Sequence, residues 1–207
     1  GSETTRPRVF DAFMFAGEFE LLHTRLHVLS SVVDVFVIVE ADVAHSGSYN
    51  RSLTFLAARE RFRPYLHRIR YLGLHSRDVP HMRGCTSSPG ASRGRISANA
   101  AMRCEHVMRG SLLREVIAAG AQPTDILISG DVDEIPRPEF ITPFRDCELF
   151  DGTSTLSSHP AVVIFLAEMR MYNSGCYSGQ SRWSYGPKVG AVFQFDLLRD
   201  EPWRGSN

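Results

Sequence analysis

The hydrophobic positions of this chain fall into two patterns, continuous apolar runs and stripes at helical spacing. Arg8 to Phe15 (RVFDAFMF) is rich in β-branched and aromatic residues and stops at Ala16-Gly17, which predicts a first strand. From Glu18 onward Leu21, Leu22, Leu26 and Leu29 recur at helical spacing, with Glu20, His23, Arg25 and His27 as the polar positions between them. Val33 to Ala41 (VDVFVIVEA) is almost uninterrupted apolar sequence, the pattern of a strand covered on both faces of a parallel sheet. Strand, helix and buried strand in this order predict a right-handed βαβ unit and an α/β fold.

The same reading continues with a short helix near Phe55–Phe62 and a strand at Ile69–Leu74. His75 to Arg95 has no periodicity and is rich in Gly, Ser, Pro and Arg, so a long mobile loop is expected there. Ile96 to Ala119 is helical, with Ala100, Val107, Leu112 and Val116 in its buried stripe and Gly120 as its stop signal; it is expected to pack behind the next strand. That strand lies in Asp125 to Phe140 (DILISGDVDEIPRPEF), followed by a short helix over Pro138–Arg145 with proline in its first turn. Val162 to Met171 and Gly190 to Phe195 read as later strands. There is no internal repeat and no second-domain linker, so residues 8–207 are expected to form one domain behind a seven-residue tail.

Composition narrows the classes. The chain has 207 residues, 43% of them hydrophobic, enough for one well-cored domain. Its 23 basic and 23 acidic residues cancel, which removes the global positive field of a nucleic-acid binder. Lys188 is the single lysine; the other basic charges are arginines, suited to bidentate phosphate or carboxylate contacts. Cys85, Cys104, Cys147 and Cys176 form no C-x-x-C pair, so a structural zinc site is not expected, and disulfides would need an oxidising compartment. No stretch approaches the roughly 20 apolar residues of a membrane span. Gly1-Ser2 reads as a remnant of tag removal, so any native signal or membrane anchor would have been cut off.

The chemistry concentrates in ILISGDVDEIP. An apolar strand that delivers Asp131 and Asp133 at its carboxyl end is suited to hold a divalent cation, Mg²⁺ or Mn²⁺, against a phosphate. Asp in a turn is also ordinary. Gly130 for close backbone approach, the third acid Glu134, and the stiffening Pro136 and Pro138 favour the metal–diphosphate reading. A phosphohydrolase of the haloacid-dehalogenase type is an alternative, with Asp131 as nucleophile, Asp133 as general acid, and Lys188 and Asp196…Asp200 in later roles. A non-catalytic nucleotide- or glycan-binding module is another. His23 and His27 have the spacing of a zinc-binding H-E-x-x-H, but Thr24 stands where that motif needs glutamate, so plain helix histidines are expected. Arg59, Arg61, Arg63, Arg68 and Arg70 read as a solvated face, and Asn50-Arg51-Ser52 matches the N-glycosylation pattern.

Three segments together resemble the family 17 glycosyltransferases, typified by the enzymes that add a bisecting N-acetylglucosamine to N-glycans. In EFELLHTRLHVLSSVVDVFVIVEAD, Glu18, Leu21, Leu22, Arg25, Val32, Val33, Asp34 and Glu40 fall where that family has its Glu-x-x-Leu-Leu-x-x-Arg helix, Val-Val-Asp and strand-ending Glu. ILISGDVDEIP is similar to the family's acidic segment, and WSYGPKVGAVFQF is a less specific Gly-Pro-Lys match. The resemblance implies a GT-A-like (Rossmann-like) fold with a central, mostly parallel sheet flanked by helices. It also implies a UDP-N-acetylglucosamine donor, a glycan acceptor and inverting, metal-assisted transfer.

Asp131 and Asp133 would then be the metal–diphosphate carboxylates, and Glu18, Arg25 and Glu40 could line the nucleotide pocket. A helix-to-sheet ion pair is the structural alternative for Arg25 and Glu40. Glu134, Glu168 and Asp196 are the candidates for the general base, each with a salt bridge or turn contact as its alternative. The resemblance implies the Golgi lumen or secretory pathway for a eukaryotic source and the cytoplasm for a bacterial one. The chain departs from the pattern where SGSYNRSLTF lacks a Lys-Pro and where Gly130 replaces an acidic or polar residue. It also ends at Asn207, where the family continues into a further C-terminal portion.

Overall fold

The computed structural model describes residues 6–43, 51–78, 98–146, 162–166, 186–193 and 195, with only the backbone of 98–105. In chain order the elements are β1 (Val9–Phe15), α1 (Phe19–Leu29), β2 (Val35–Ala41), α2 (Phe55–Ala58) running into a 3₁₀ segment (Arg59–Arg68), β3 (Ile69–Leu74) and α3 (Ala98–Ala118). They continue with β4 (Ile126–Asp131), α4 (Pro138–Asp146), β5 (Val163–Ile164) and β6 (Lys188–Ala191). The six strands form one sheet in the order β3-β2-β1-β4-β6-β5. The first four are parallel, while β6 runs antiparallel to β4 and β5 antiparallel to β6. The architecture is therefore α/β and Rossmann-like, with a mostly parallel sheet between helices.

Strand alternation assigns the two faces. Phe10, Ala12 and Met14 of β1 pack with Met108, Leu112, Leu113 and Val116 of α3. Val9, Phe13 and Phe15 pack on the other face with Leu22, Leu26 and Leu29 of α1 and Ile141 of α4. β1 and β2 are buried over nearly their whole length, as their apolar runs predict. α3 ends in a Schellman motif: Gly120 takes φ +84°, and the amides of Gly120 and Ala121 reach back to the carbonyls of Ile117 and Val116.

Several boundaries differ from the sequence expectation. β2 starts at Val35, because the Val33 amide still bonds the Leu29 carbonyl in the turn after α1. The short helix lasts one turn and then tightens into 3₁₀ geometry across Pro64, which has no amide hydrogen to give. α3 packs chiefly on β1 and β2, not behind β4. The final strand begins at Lys188 and ends at Ala191, with one further bond from the Val192 amide to the Asp125 carbonyl before the chain turns helical. Of the expected Val162–Met171 strand, Val163–Ile164 is extended, and 167–171 lie outside the described residues. So do most of the expected loop at 75–95, Asn50, Cys85, Cys147, Cys176 and the side chain of Cys104.

Candidate active site

Parallel α/β sheets bind ligands beyond the carboxyl ends of their strands, where the strand order reverses. Here that point lies between β1 and β4, and the turn after β4 is Asp131-Val132-Asp133-Glu134. Val132 is buried in the α1-side core, while the Asp131 carboxylate meets Arg109 of α3. Asp131 is half-exposed and Asp133 exposed. The turn closes on itself: the Glu134 amide donates to the Asp131 carbonyl at 3.0 Å. In return the Asp131 amide donates to Glu134 Oε2 at 2.9 Å.

Gly130 makes this geometry possible. A Cβ there would stand 2.8 Å from Glu134 Oε2 and 3.3 Å from Pro187 Cα. The departure from the family pattern at Gly130 thus has a local cause, since the glycine leaves the space in which the Glu134 carboxylate folds back.

Beneath the turn lies Arg25, fully buried, one α1 turn from Leu22 and Leu29. Its Nε and Nη2 form a two-nitrogen fork on Asp11, at 2.8 and 2.7 Å. Its Nη1 donates to the carbonyls of Asp131 at 2.6 Å and Glu134 at 3.0 Å. Its guanidinium also lies 4.5 Å from the centre of the Phe13 ring. Arg25 therefore faces inward and braces the acidic turn from below, through a helix-to-sheet ion pair with Asp11. A direct contact with nucleotide is not what this position offers.

Above the turn two cations approach from different elements. Arg109 of α3 places Nη2 at 2.9 Å from Asp131 Oδ1 and 3.3 Å from Oδ2. Lys188 opens β6 opposite Ser129, beside the end of β4. Burial, and then the nearby Arg109 charge, lower the Lys188 pKa below the ordinary lysine value; Glu134 and Asp131 act in the opposite direction.

The remaining candidates separate clearly. Glu18 is exposed in the β1–α1 turn, at the same edge of the sheet, where its carboxylate accepts the Ala16 amide at 2.7 Å. Glu40 is buried at the end of β2, where it accepts both the amide and the hydroxyl of Thr54, the Phe55 amide and the Tyr71 hydroxyl. It caps α2, and among the described residues no arginine pairs with it, so the ion-pair expectation holds for Arg25 while Glu40 is seen as a helix cap. Burial and this hydrogen bond raise the Tyr71 hydroxyl well above the ordinary phenol range. Glu134 is engaged in its turn, and Glu168 and Asp196 lie outside the described residues. His23 and His27 are exposed on α1 against Tyr65. Arg61 pairs with Glu20, while Arg68 donates to the Ser30 carbonyl.

Among the described residues no three His, Cys, Asp or Glu side chains gather into a closed metal cage. A cation at the acidic turn would be held by Asp131 and Asp133 and would complete its shell with phosphate oxygens and water, as Mg²⁺ and Mn²⁺ do in phosphate sites. The donor set fits that kind of site. Sequence reasoning missed Asp11 and Arg109. Asp11 was visible as a lone carboxylate inside an apolar strand; Arg109 depends on how α3 crosses the sheet and has no local signal.

A family profile described as glycosyltransferase family 17 matches residues 1–159, a span that holds Glu18, Arg25, Glu40, Arg109 and the whole acidic turn. No curated protein matches. Among solved structures, the crystal structure of a 4-diphosphocytidyl-2C-methyl-D-erythritol synthase aligns at 13% identity over 93% of this chain and 79% of that one, with a TM-score of 0.41.

Proposed function

The chain belongs to glycosyltransferase family 17, and on that premise we propose that it transfers N-acetylglucosamine from a UDP-sugar to a glycan hydroxyl with inversion. The observation that carries this reading is the solvent-accessible Asp131/Asp133 pair at the switch point of the sheet, on a turn braced by Arg25. Membership in a transferase family sets aside the phosphohydrolase alternative.

In this reading Asp131 and Asp133 hold a divalent cation, which when bound neutralises charge on the nucleoside diphosphate leaving group. The chain's own residues do the rest. Arg25 keeps the turn carbonyls fixed, so the two carboxylates need not reorganise when the donor arrives. Arg109 and Lys188 add positive charge at the same edge. Inversion requires a base on the far side of the donor sugar to take the acceptor proton. With Glu134 engaged in the turn, Glu168 and Asp196 are the two candidates for it. The Glu18 carboxylate lies in the β1–α1 turn at the same edge of the sheet, and in this reading it meets the nucleoside.

The test is calorimetry with UDP and Mn²⁺ on the wild type and on Asp131→Ala/Asp133→Ala. Metal-dependent UDP binding that vanishes in the double variant is expected, together with transfer from UDP-N-acetylglucosamine across a glycan panel. UDP binding indifferent to metal and to both side chains would overturn the reading. Binding without hydrolysis or transfer would make the chain a binding module.

A further inference from the structure

Resting on that reading, we propose that Arg109 is a displaceable counter-ion: it occupies Asp131 in the metal-free protein and passes to the diphosphate when a divalent cation takes the carboxylate. Three observations support the exchange.

The first is the geometry of the contact. Arg109 offers a single nitrogen, Nη2, to both oxygens of Asp131, instead of the two-nitrogen fork that Arg25 makes with Asp11. The second is solvent access. The side chains of Arg109 and Asp131 are 29% and 43% exposed, whereas both partners of the Arg25–Asp11 pair are at 0%. Exposed pairs contribute little and exchange readily, while buried ones are costly to separate.

The third is the surrounding charge. Arg109 and Lys188 lie close enough to repel, and Asp131 and Glu134 lie near enough to Lys188 to offset part of that charge. A cation bound at Asp131 and Asp133 removes part of that compensation. A diphosphate arriving there would restore negative charge beside Arg109 and Lys188. Guanidinium suits the role because its planar fork matches phosphate oxygens.

Opposite signs in two binding measurements test this. Mn²⁺ alone is titrated against the wild type, Arg109→Ala and Arg109→Lys, with free Mn²⁺ followed by electron paramagnetic resonance; UDP is then titrated by calorimetry at saturating Mn²⁺. Arg109→Ala is expected to bind Mn²⁺ alone about two- to fivefold more tightly, because the competitor is gone. It is expected to bind UDP about tenfold or more weakly, because a charge-assisted phosphate contact is lost. Arg109→Lys keeps the charge, so its Mn²⁺ affinity stays near wild type and its UDP affinity falls by less. A purely structural arginine would weaken both affinities together, and that outcome overturns the proposal, as does unchanged UDP affinity in Arg109→Ala. If the wild type binds UDP with Mn²⁺ and Asp131→Ala abolishes it, such a result removes only the role of Arg109. If the wild type binds no UDP, the UDP-sugar reading falls and the proposal with it.

Discussion

Two arginine–aspartate pairs meet the same acidic turn from opposite sides, and they differ in every physical respect that matters. Below it, Arg25 and Asp11 are fully buried in a two-nitrogen fork, with further bonds to the turn carbonyls. Above it, Arg109 holds Asp131 through one nitrogen in a partly exposed position. The lower pair makes the turn rigid; the upper pair keeps its carboxylate neutralised and exchangeable. A site that must bind a charged ligand needs both, because rigidity presents the oxygens in advance and exchangeability lets the ligand replace the protein's own partner.

Breaking the lower pair should have the largest effect. Arg25→Met leaves Asp11 charged and alone in the core and frees two or more buried carbonyls, a loss of about 3–5 kcal/mol. Against a typical total of roughly 5–15 kcal/mol, that is a large share of the stability. Urea unfolding checks it. Asp11→Asn combined with Arg25→Met should cost clearly less than the sum of the two single changes, because no lone charge remains. Additive costs would mean that the two residues do not act as a pair.

The lower pair was partly legible in the sequence. Leu22, Arg25, Leu26 and Leu29 occupy one helical face at i, i+3, i+4 and i+7, so the spacing itself places Arg25 inward. Choosing leucines by residue type instead put Leu21 on that face, and Leu21 is 40% exposed. Asp11 in the middle of RVFDAFMF was the matching signal, since a buried carboxylate needs a cationic partner. β1 and β2 were legible because burial on both faces leaves continuous apolar runs. The antiparallel β6 was not, because its direction is set by pairing with β4 and not by its own pattern. The upper pair was illegible for a similar reason: Arg109 looks like any polar helix position until α3 is laid across β1 and β2.

The upper pair predicts the opposite balance of stability and binding. Asp131→Asn removes an exchangeable charge from a partly exposed position, so unfolding free energy should stay within about 0.5 kcal/mol of wild type. UDP affinity in Mn²⁺ should fall about ten- to a hundredfold, because a hard-oxygen ligand becomes an amide. A stability loss comparable to that of Arg25→Met would erase the distinction between the two sides.

Gly130→Ala probes the brace that joins them. The added methyl would crowd Glu134 Oε2 and the Pro187 backbone, and the Glu134 carboxylate would have to leave the Asp131 amide. Overpacking of this kind costs about 1–3 kcal/mol, and the lower end applies because a side-chain terminus can move. UDP affinity should fall along with stability. If stability fell while UDP affinity held, the Glu134 contact would belong to the fold alone.

The smallest effect concerns Lys188, and its sign distinguishes the upper region from the lower. Its pKa is lowered in the folded protein, chiefly by burial and then by Arg109. Between that lowered value and the ordinary lysine value of about 10.4, the unfolded chain therefore binds more protons than the folded one. Stability attributable to Lys188 accordingly rises with pH across that window, and below it the folded state carries a constant penalty. Lys188→Met removes the penalty and keeps the apolar stem, so near neutral pH the variant should match or exceed wild-type stability, by less than about 1 kcal/mol. As pH is raised toward 10, the difference between the two proteins should shrink in paired thermal melts. UDP binding should weaken in the same variant, because the cation that burdens the free protein is one the diphosphate would use. A variant less stable than wild type at neutral pH, with unchanged UDP affinity, would make Lys188 a structural residue like Arg25 and leave Arg109 as the upper cation with a ligand to meet.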